Sequence, residues 1–394
     1  MRLLSLMFLL SFTTVATAQG SLTSMICQAK PTKACVLEMA VEATTAAAVA
    51  KPDDDNLPFG RIVETASRAG LFDLALSLVS RLDKNDSTAV AELMAAAART
   101  GRLADTAPLL KILGHDETTY LFMIGPVYFE LGKEVELNAL LETVDPKPDP
   151  DVVIAWQVEG LLRGARRDKA VSLLLGLGDR QRAAVVDIAG QALSYNEDAA
   201  LAHPLAPFIA GVEAYHLGQK ARIAEAVGDL ELARSLVEPL QKLPTQDMEG
   251  VLSQVAYALA ASGAWMQAVE LVAHLEVKDR PFTLARVAEL SREPQVFPLV
   301  EKAMEDLSDD YARQRMARVL IRALIIAGFA PVAQGYIDSA DGGYERNTRL
   351  TVAASALAQI GRGPEAVAIA NTIDDAHDKA WAIWEVAWKL KDQP

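Results

Sequence analysis

Along most of the chain apolar residues recur at three- and four-residue spacing, in short runs broken by a glycine. Around Gly263, Leu252, Val255, Ala256 and Leu259 come before the glycine, and Ala268, Val272 and Leu275 follow it. Each set marks one face of a helix. The glycine between them can take a positive φ and so end the first helix at a tight turn. Asp279 then stands before the next helical run, where a carboxylate can accept from free backbone N–H groups. Asp86, Asp116, Asp179, Asp247 and Asp310 stand in comparable places. One unit is helix, turn, helix, cap.

That unit recurs. Its glycine anchors are Gly70, Gly101, Gly132, Gly164, Gly228, Gly263, Gly328 and Gly361, with Asn196 and Pro294 filling the two gaps, and the period is about 32 residues. A period of this length marks a helical solenoid, whose units bury their apolar faces only by stacking on neighbours. Three segments break the rhythm. Asp145 to Asp151 is proline-rich and reads as a rigid loop. Pro204 and Pro207 fall inside an expected second helix and should shorten or kink it. Ala50 to Pro58, with Asp53, Asp54 and Asp55, reads as a linker.

The units resemble the tetratricopeptide-like class of helical repeats, which carries a small residue five positions after the turn glycine. Ala75, Ala233, Ala268, Ala333 and Ala366 occupy that place. Apolar residues fill other packing positions, such as Phe59, Ile62, Val79 and Leu82 around Gly70, and Leu350, Ala353, Leu357 and Ile373 around Gly361. Thr106 and Leu137 replace the small residue in two units, and the family's first-helix aromatic and glycine positions are mostly Ala, Leu or Val. HEAT-like pairs have a longer period and fit less well. The resemblance implies an all-α fold, a right-handed superhelix of about ten helix-turn-helix repeats.

Met1 to Ala18 has the form of a secretory signal peptide: Arg2, an apolar run from Leu3 to Phe12, and small residues at Ala16-Thr17-Ala18. The run is shorter than the roughly 20 residues needed to cross a bilayer. Cleavage after Ala18 leaves a mature chain starting at Gln19, exported to the periplasm or secreted, with no membrane insertion after signal removal. The domain reading is residues 1–18 signal, 19–56 an N-terminal helical cap, 57–380 repeats and 381–394 a C-terminal capping helix. Cys27 and Cys35 flank Pro31, which allows a bend between them. In an oxidising compartment they are expected to form a disulfide. The alternative is two thiols packing as small hydrophobes.

Composition narrows the partners. Apolar residues make up 51%, enough for a continuous core, and net charge is −14. Loss of the signal, with its single arginine and no acids, makes the mature chain one unit more acidic. Phosphate-backbone binding needs a basic surface, so nucleic acid is not an expected partner. Anionic lipid is disfavoured for the same reason.

Catalytic motifs are missing from the sequence: there is no Gly-x-Ser-x-Gly, no His-Glu-x-x-His and no phosphate-binding glycine loop beyond the bare pair Gly176 and Gly178. His115, His203, His216, His274 and His377 are scattered over different repeats and read as surface or packing residues. Asp53-Asp54-Asp55-Asn56 lacks the alternating spacing of a calcium loop. No catalytic residue, cofactor or metal is assigned.

Two surface features are candidates for binding. Arg315, Arg318 and Arg322 share a face of one predicted helix, with Arg313, Arg346 and Arg349 nearby in sequence. Such a stripe can clamp carboxylates, or its members can pair with Glu305, Asp309, Asp310 and Glu345 between repeats. Arg163, Arg166, Arg167 and Lys169 read as a solvated turn. Trp381, Trp384 and Trp388 form a stripe on the last helix, either covering the final repeat as a cap or exposed as a docking surface. The expected function is a non-catalytic exported scaffold or adaptor that holds a protein or peptide partner in a concave groove. The alternative is an enzyme, or enzyme-associated module, acting on cell-envelope glycan. Paired carboxylates and exposed aromatics in the groove would favour that alternative; mixed polar residues with a basic patch would favour peptide.

Overall fold

The structure, a computed structural model, describes residues 27–51, 56–82, 86–102, 117–142, 145–194, 198–307 and 309–391. The signal segment, Gln19, Asp53 to Asp55, Thr106, His115, Asp116 and Asn196 lie outside the described residues. Among the described residues every regular element is helical. No helix there is long and apolar enough to cross a membrane. The chain forms two compact units, one running from Met94 to Ala323 and the other combining the residues up to Leu93 with those from Leu324 onward.

In the central unit long and short helices alternate. Pro150–Arg163 is followed by Arg167–Gly176, Thr245–Ala261 by Trp265–Val272, and Arg280–Ser291 by Phe297–Met304. Each of these long helices packs on its own short partner, and Pro150–Arg163 and Thr245–Ala261 also pack on the next long helix along. Buried Val158, Leu161, Ala170, Leu174, Val185, Ala189 and Leu193 form one continuous cluster across such neighbours. No pair could bury its apolar face alone, because the other wall of that cluster belongs to the adjacent pair.

The turns follow the glycine anchors with two shifts. Gly70, Gly101, Gly132, Gly228, Gly263, Gly328 and Gly361 have φ between 67° and 93°, the left-handed region that glycine enters without steric cost. Gly164 does not: its φ is −79°, and Ala165 at 56° makes the left-handed step. Gly164 is small for another reason, since a Cβ there would come 3.3 Å from the Glu130 carbonyl. Near Pro294 the step is made by Arg292 (φ 57°), and Pro294 opens a short 3₁₀ turn. With the register corrected, Ala170 joins Ala75, Ala233, Ala268, Ala333 and Ala366 five residues after the turn. All six are 1% exposed or less. Leu137, at the same position after Gly132, is also fully buried.

The capping expectations need correcting. Asp279 has αR backbone angles and its side chain caps nothing. Asp309, rather than Asp310, accepts the Ala312 N–H at 2.6 Å. Asp247 sits inside the first turn of its helix, and Asp179 is the first residue of its own. Asp149, Asp229 and Asp375 also cap their helices. Pro150 and Asp151 also belong to a helix rather than to the loop before it.

Pro204 and Pro207 do more than kink a helix. The whole segment Ala199–Phe208 is 3₁₀. Each proline lacks the N–H that an α-helix would need and crowds the preceding turn, so the second element of this repeat is a short, tightly wound run.

The other unit joins residues from both ends of the chain. Helix Lys33–Ala50 packs against Ala376–Lys389 along its length, and Phe59–Arg68 also touches that helix. Cys27 and Cys35 are disulfide-bonded, with their Cα atoms 5.8 Å apart. Thr32, between them, accepts the Cys35 N–H and caps the helix. Pro31 rests where a Cβ on Gly363 would lie, so that glycine admits the N-terminal loop.

The last helix packs on both helices of the final repeat, and its tryptophan stripe reaches the start of the repeats as well. Ala380, Ala382, Ile383, Val386 and Ala387 form the buried face of this helix, and the three tryptophans are half-buried beside it. Trp381 donates to the Asn56 carbonyl at 3.1 Å, and Trp384 to the Arg61 carbonyl and the Thr65 hydroxyl at 3.1 and 3.0 Å. Trp388 carries the Arg68 guanidinium on its face at 5.2 Å. The indoles thus fasten the last helix to the first repeat. Helix Lys33–Ala50 packs on the same helix, so the end that needed a cap already has a neighbour.

Candidate functional site

Among the described residues, before seven of the nine left-handed turns that follow a long helix, that helix carries a polar residue six positions ahead of the turn residue; before Gly101 and Gly132 that place holds Ala95 and Pro126. The polar residue is Glu64, Glu159, Arg222, Tyr257, Arg286, Arg322 and Ser355 for turns at residues 70, 165, 228, 263, 292, 328 and 361. Glu64, Glu159 and Ser355 are buried. Polar groups so placed must find partners within the protein: Glu64 and Glu159 pair with arginines of their own helices, and Ser355 donates to Glu385 on a neighbouring one.

In the central unit these partners form a row. Arg286 bonds Glu225 at 2.7 Å, two long helices back, and Glu289 on its own helix. Glu289, only 4% exposed, also receives the Arg322 guanidinium at 3.2 Å. Opposite charges alternate along Glu225, Arg286, Glu289 and Arg322. Tyr257 lies beside this row, its hydroxyl raised above the usual phenol value chiefly by burial and partly offset by a hydrogen bond with Thr283.

Next to it is a cleft of about 320 Å³ lined by Glu249, Ser253, Tyr257, Leu275, Glu276, Asp279, Phe282, Thr283 and Arg315. Ser253 and Thr283 hydroxyls stand 3.2 Å apart. The Arg315 guanidinium covers the Phe282 ring at 4.8 Å. Helices Thr245–Ala261 and Arg280–Ser291 supply the hydroxyls, and Asp310–Ile326 supplies the arginine.

The arginines of the predicted stripe therefore have different fates. Arg315 is exposed and faces the cleft; Arg318 is half-buried and has a partner. Arg322 is held by Glu289. Arg313 pairs with Asp310 at 2.7 Å and bonds the Leu307 carbonyl. Arg346 and Arg349 lie in the other unit. Arg346 is exposed and 3.9 Å from Asp338. Arg349 is 5% exposed and bonds Glu345, the Tyr336 carbonyl and Ser339, so it serves the fold. Arg313 with Asp310 and Arg349 with Glu345 pair within single helices rather than between repeats as expected; the bridge between helices is made by Arg322 to Glu289, a residue the sequence did not single out.

The basic turn near residue 165 is not simply solvated. Arg163 joins Glu159 and Asp198, at 2.9 and 2.6 Å. Arg166 reaches back to the Phe129 and Glu130 carbonyls. Arg167 alone of the arginines here lines a second cleft, of about 410 Å³, with His203, Ala206, Pro207, Lys220, Asp229, Glu231, Leu232 and Ser235. His203 is 3.0 Å from Asp229. Asp229 is held below the usual carboxylate range first by the Leu232 N–H that it caps and then by His203.

A third recess, about 580 Å³, lies in the unit containing both chain ends and is lined by Lys51, Tyr344, Asn347, Asp374, Asp375, His377 and Asp378. Lys51 meets Asp375 there at 3.5 Å. Among the described residues no group of His, Cys, Asp and Glu is arranged to hold a metal ion. No protein-family model matches the chain, and no curated protein matches it.

Proposed function

We propose that this chain is an exported, non-catalytic helical-repeat scaffold, periplasmic or secreted, whose long helices present a groove to a protein or peptide partner. In this reading the helix pairs stack as a tetratricopeptide-like, right-handed superhelix of about ten repeats, and extended concave surfaces follow from such stacking. One observation carries the reading: the cleft beside Tyr257 mixes hydroxyls, carboxylates and one free-facing arginine. Backbone amides and charged side chains of a peptide find both donors and acceptors on such a surface. The disulfide supports export, since such bonds persist in oxidising compartments.

The glycan-acting alternative draws less support from the same cleft. An aromatic platform for a sugar ring needs an open face, and the Phe282 face carries Arg315. The test is a photo-crosslinking residue placed at Ser253 in the exported protein, with Met266 on the neighbouring short helix as control. The expected result is a polypeptide adduct from position 253 that disappears with Arg315→Glu. Adducts of equal yield from position 266, or an adduct made of glycan, would overturn the peptide reading.

A further inference from the structure

We propose that the cleft formed by the proline-interrupted repeat is a binding site for an oxyanion, the phosphate or carboxylate group of a small molecule. It lies between the 3₁₀ segment Ala199–Phe208 and helix Ala214–Val227, with Arg167 and the Asp229 turn completing the wall. Where other repeats place a second α-helix, Pro204 and Pro207 impose a tighter run, and space of about 410 Å³ is left.

Three cationic or proton-bearing groups face that space: Arg167, Lys220 and His203. In a chain of net charge −14 almost any surface cation has a carboxylate at hand, and the arginines of the neighbouring row all do. Among the described residues, Lys220 and Arg167 form no ion pair. Burial alone lowers the Lys220 ammonium below the usual lysine value, and no carboxylate offsets it. Asp229 is occupied, accepting from Leu232 and from His203. Glu231 stands exposed at the rim. A half-buried cation without a counter-ion costs solvation free energy that a bound anion restores. The guanidinium of Arg167 can fork onto two oxygens while the ammonium of Lys220 acts as a point charge.

The site stands apart from the peptide-binding reading, and its test needs no partner. The acylation rate of Lys220 in the intact protein is followed by mass spectrometry, at constant ionic strength, with inorganic phosphate or succinate added. Protection of about tenfold is expected at an anion concentration about ten times its Kd, with exposed Lys169 unaffected. Protection by phosphate alone, succinate alone or both supports the site and tells phosphoryl from carboxylate ligands. Arg167→Ala, whose side chain is exposed and whose loss leaves the fold intact by circular dichroism, is expected to abolish protection. Failure of both anions to protect Lys220, or undiminished protection in Arg167→Ala, overturns the proposal.

Discussion

Arg286 and Lys220 are cations on long helices of the same unit, and their surroundings differ in kind. Arg286 sits between Glu225 and Glu289, and Glu289 is tied in turn to Arg322. Lys220 faces a cleft with no acid paired to it among the described residues. Regular repeats bring a carboxylate from another helix to the cations of the row, Glu225 to Arg286 and Glu289 to Arg322. The repeat interrupted by Pro204 and Pro207 does not. Stacking thus supplies counter-charges to Arg286 and Arg322, and the interrupted repeat supplies none to Lys220. Groups with partners hold the fold; groups without them are free to bind something else.

Substitutions can break or sharpen this contrast. The largest effect is expected at Trp384, whose indole donates to Arg61 and Thr65. Trp384→Ala should cost about 3 kcal/mol, the low end for a large aromatic because the ring is half-buried. Hydrogen exchange should show loss of protection in Phe59–Arg68 and Ala376–Lys389 together. Loss confined to the C-terminal helix would mean that the indole only caps its own end.

Arg286→Ala comes next, at about 2–3 kcal/mol by urea unfolding. It strands Glu289 in a buried place, and the surviving Arg322 contact limits the loss. Restoring stability with a second change, Glu289→Gln, would show that the uncompensated carboxylate is the cause.

Asp229→Ala should cost about 1 kcal/mol, as for other helix caps. The carboxyl is held below its ordinary value in the folded protein, so its stabilisation is complete above the unfolded-state value of about 3.9 and fades as pH falls toward the lowered one. Thermal melts of wild type and variant should differ at pH 7 and converge in strong acid. Divergence on acidification would contradict the cap. The smallest effect is expected from Lys220→Met, within about 0.5 kcal/mol of wild type, because no ion pair is lost. A loss as large as that of Arg286→Ala would show that Lys220 has a partner and would erase the contrast.

Much of this architecture could be read before any coordinates. The three- and four-residue spacing and the glycine period imply paired helices and turns, and seven of the eight glycine anchors do take left-handed angles. Both are local properties: an apolar stripe needs only helical geometry, and a tight turn needs a residue tolerant of positive φ. The small residue five positions on is legible for the same reason, and Ala170 joins the set once the turn is set at Ala165 rather than at Gly164. The polar position six residues before seven of the nine turns is equally open to reading, once Ala165 and Arg292 replace Gly164 and Pro294 as anchors. The cysteine pairing also followed from proximity in the chain and an even count.

Other features rest on contacts between residues far apart in sequence, which local patterns do not encode. Three tryptophans at helical spacing show a stripe, but not that it grips residues 56 to 68. Six arginines show positive charge, but not that Arg349 is buried among Glu345, Tyr336 and Ser339 while Arg315 faces a cleft. The sign of a side chain is written at its own position. Whether that charge is neutralised depends on what another helix brings within a few ångströms, and at those distances Coulomb attraction and desolvation both change by several kcal/mol. Periodicity along the chain decided which residues turn inward; packing between helices decided which of their polar groups remain free to bind.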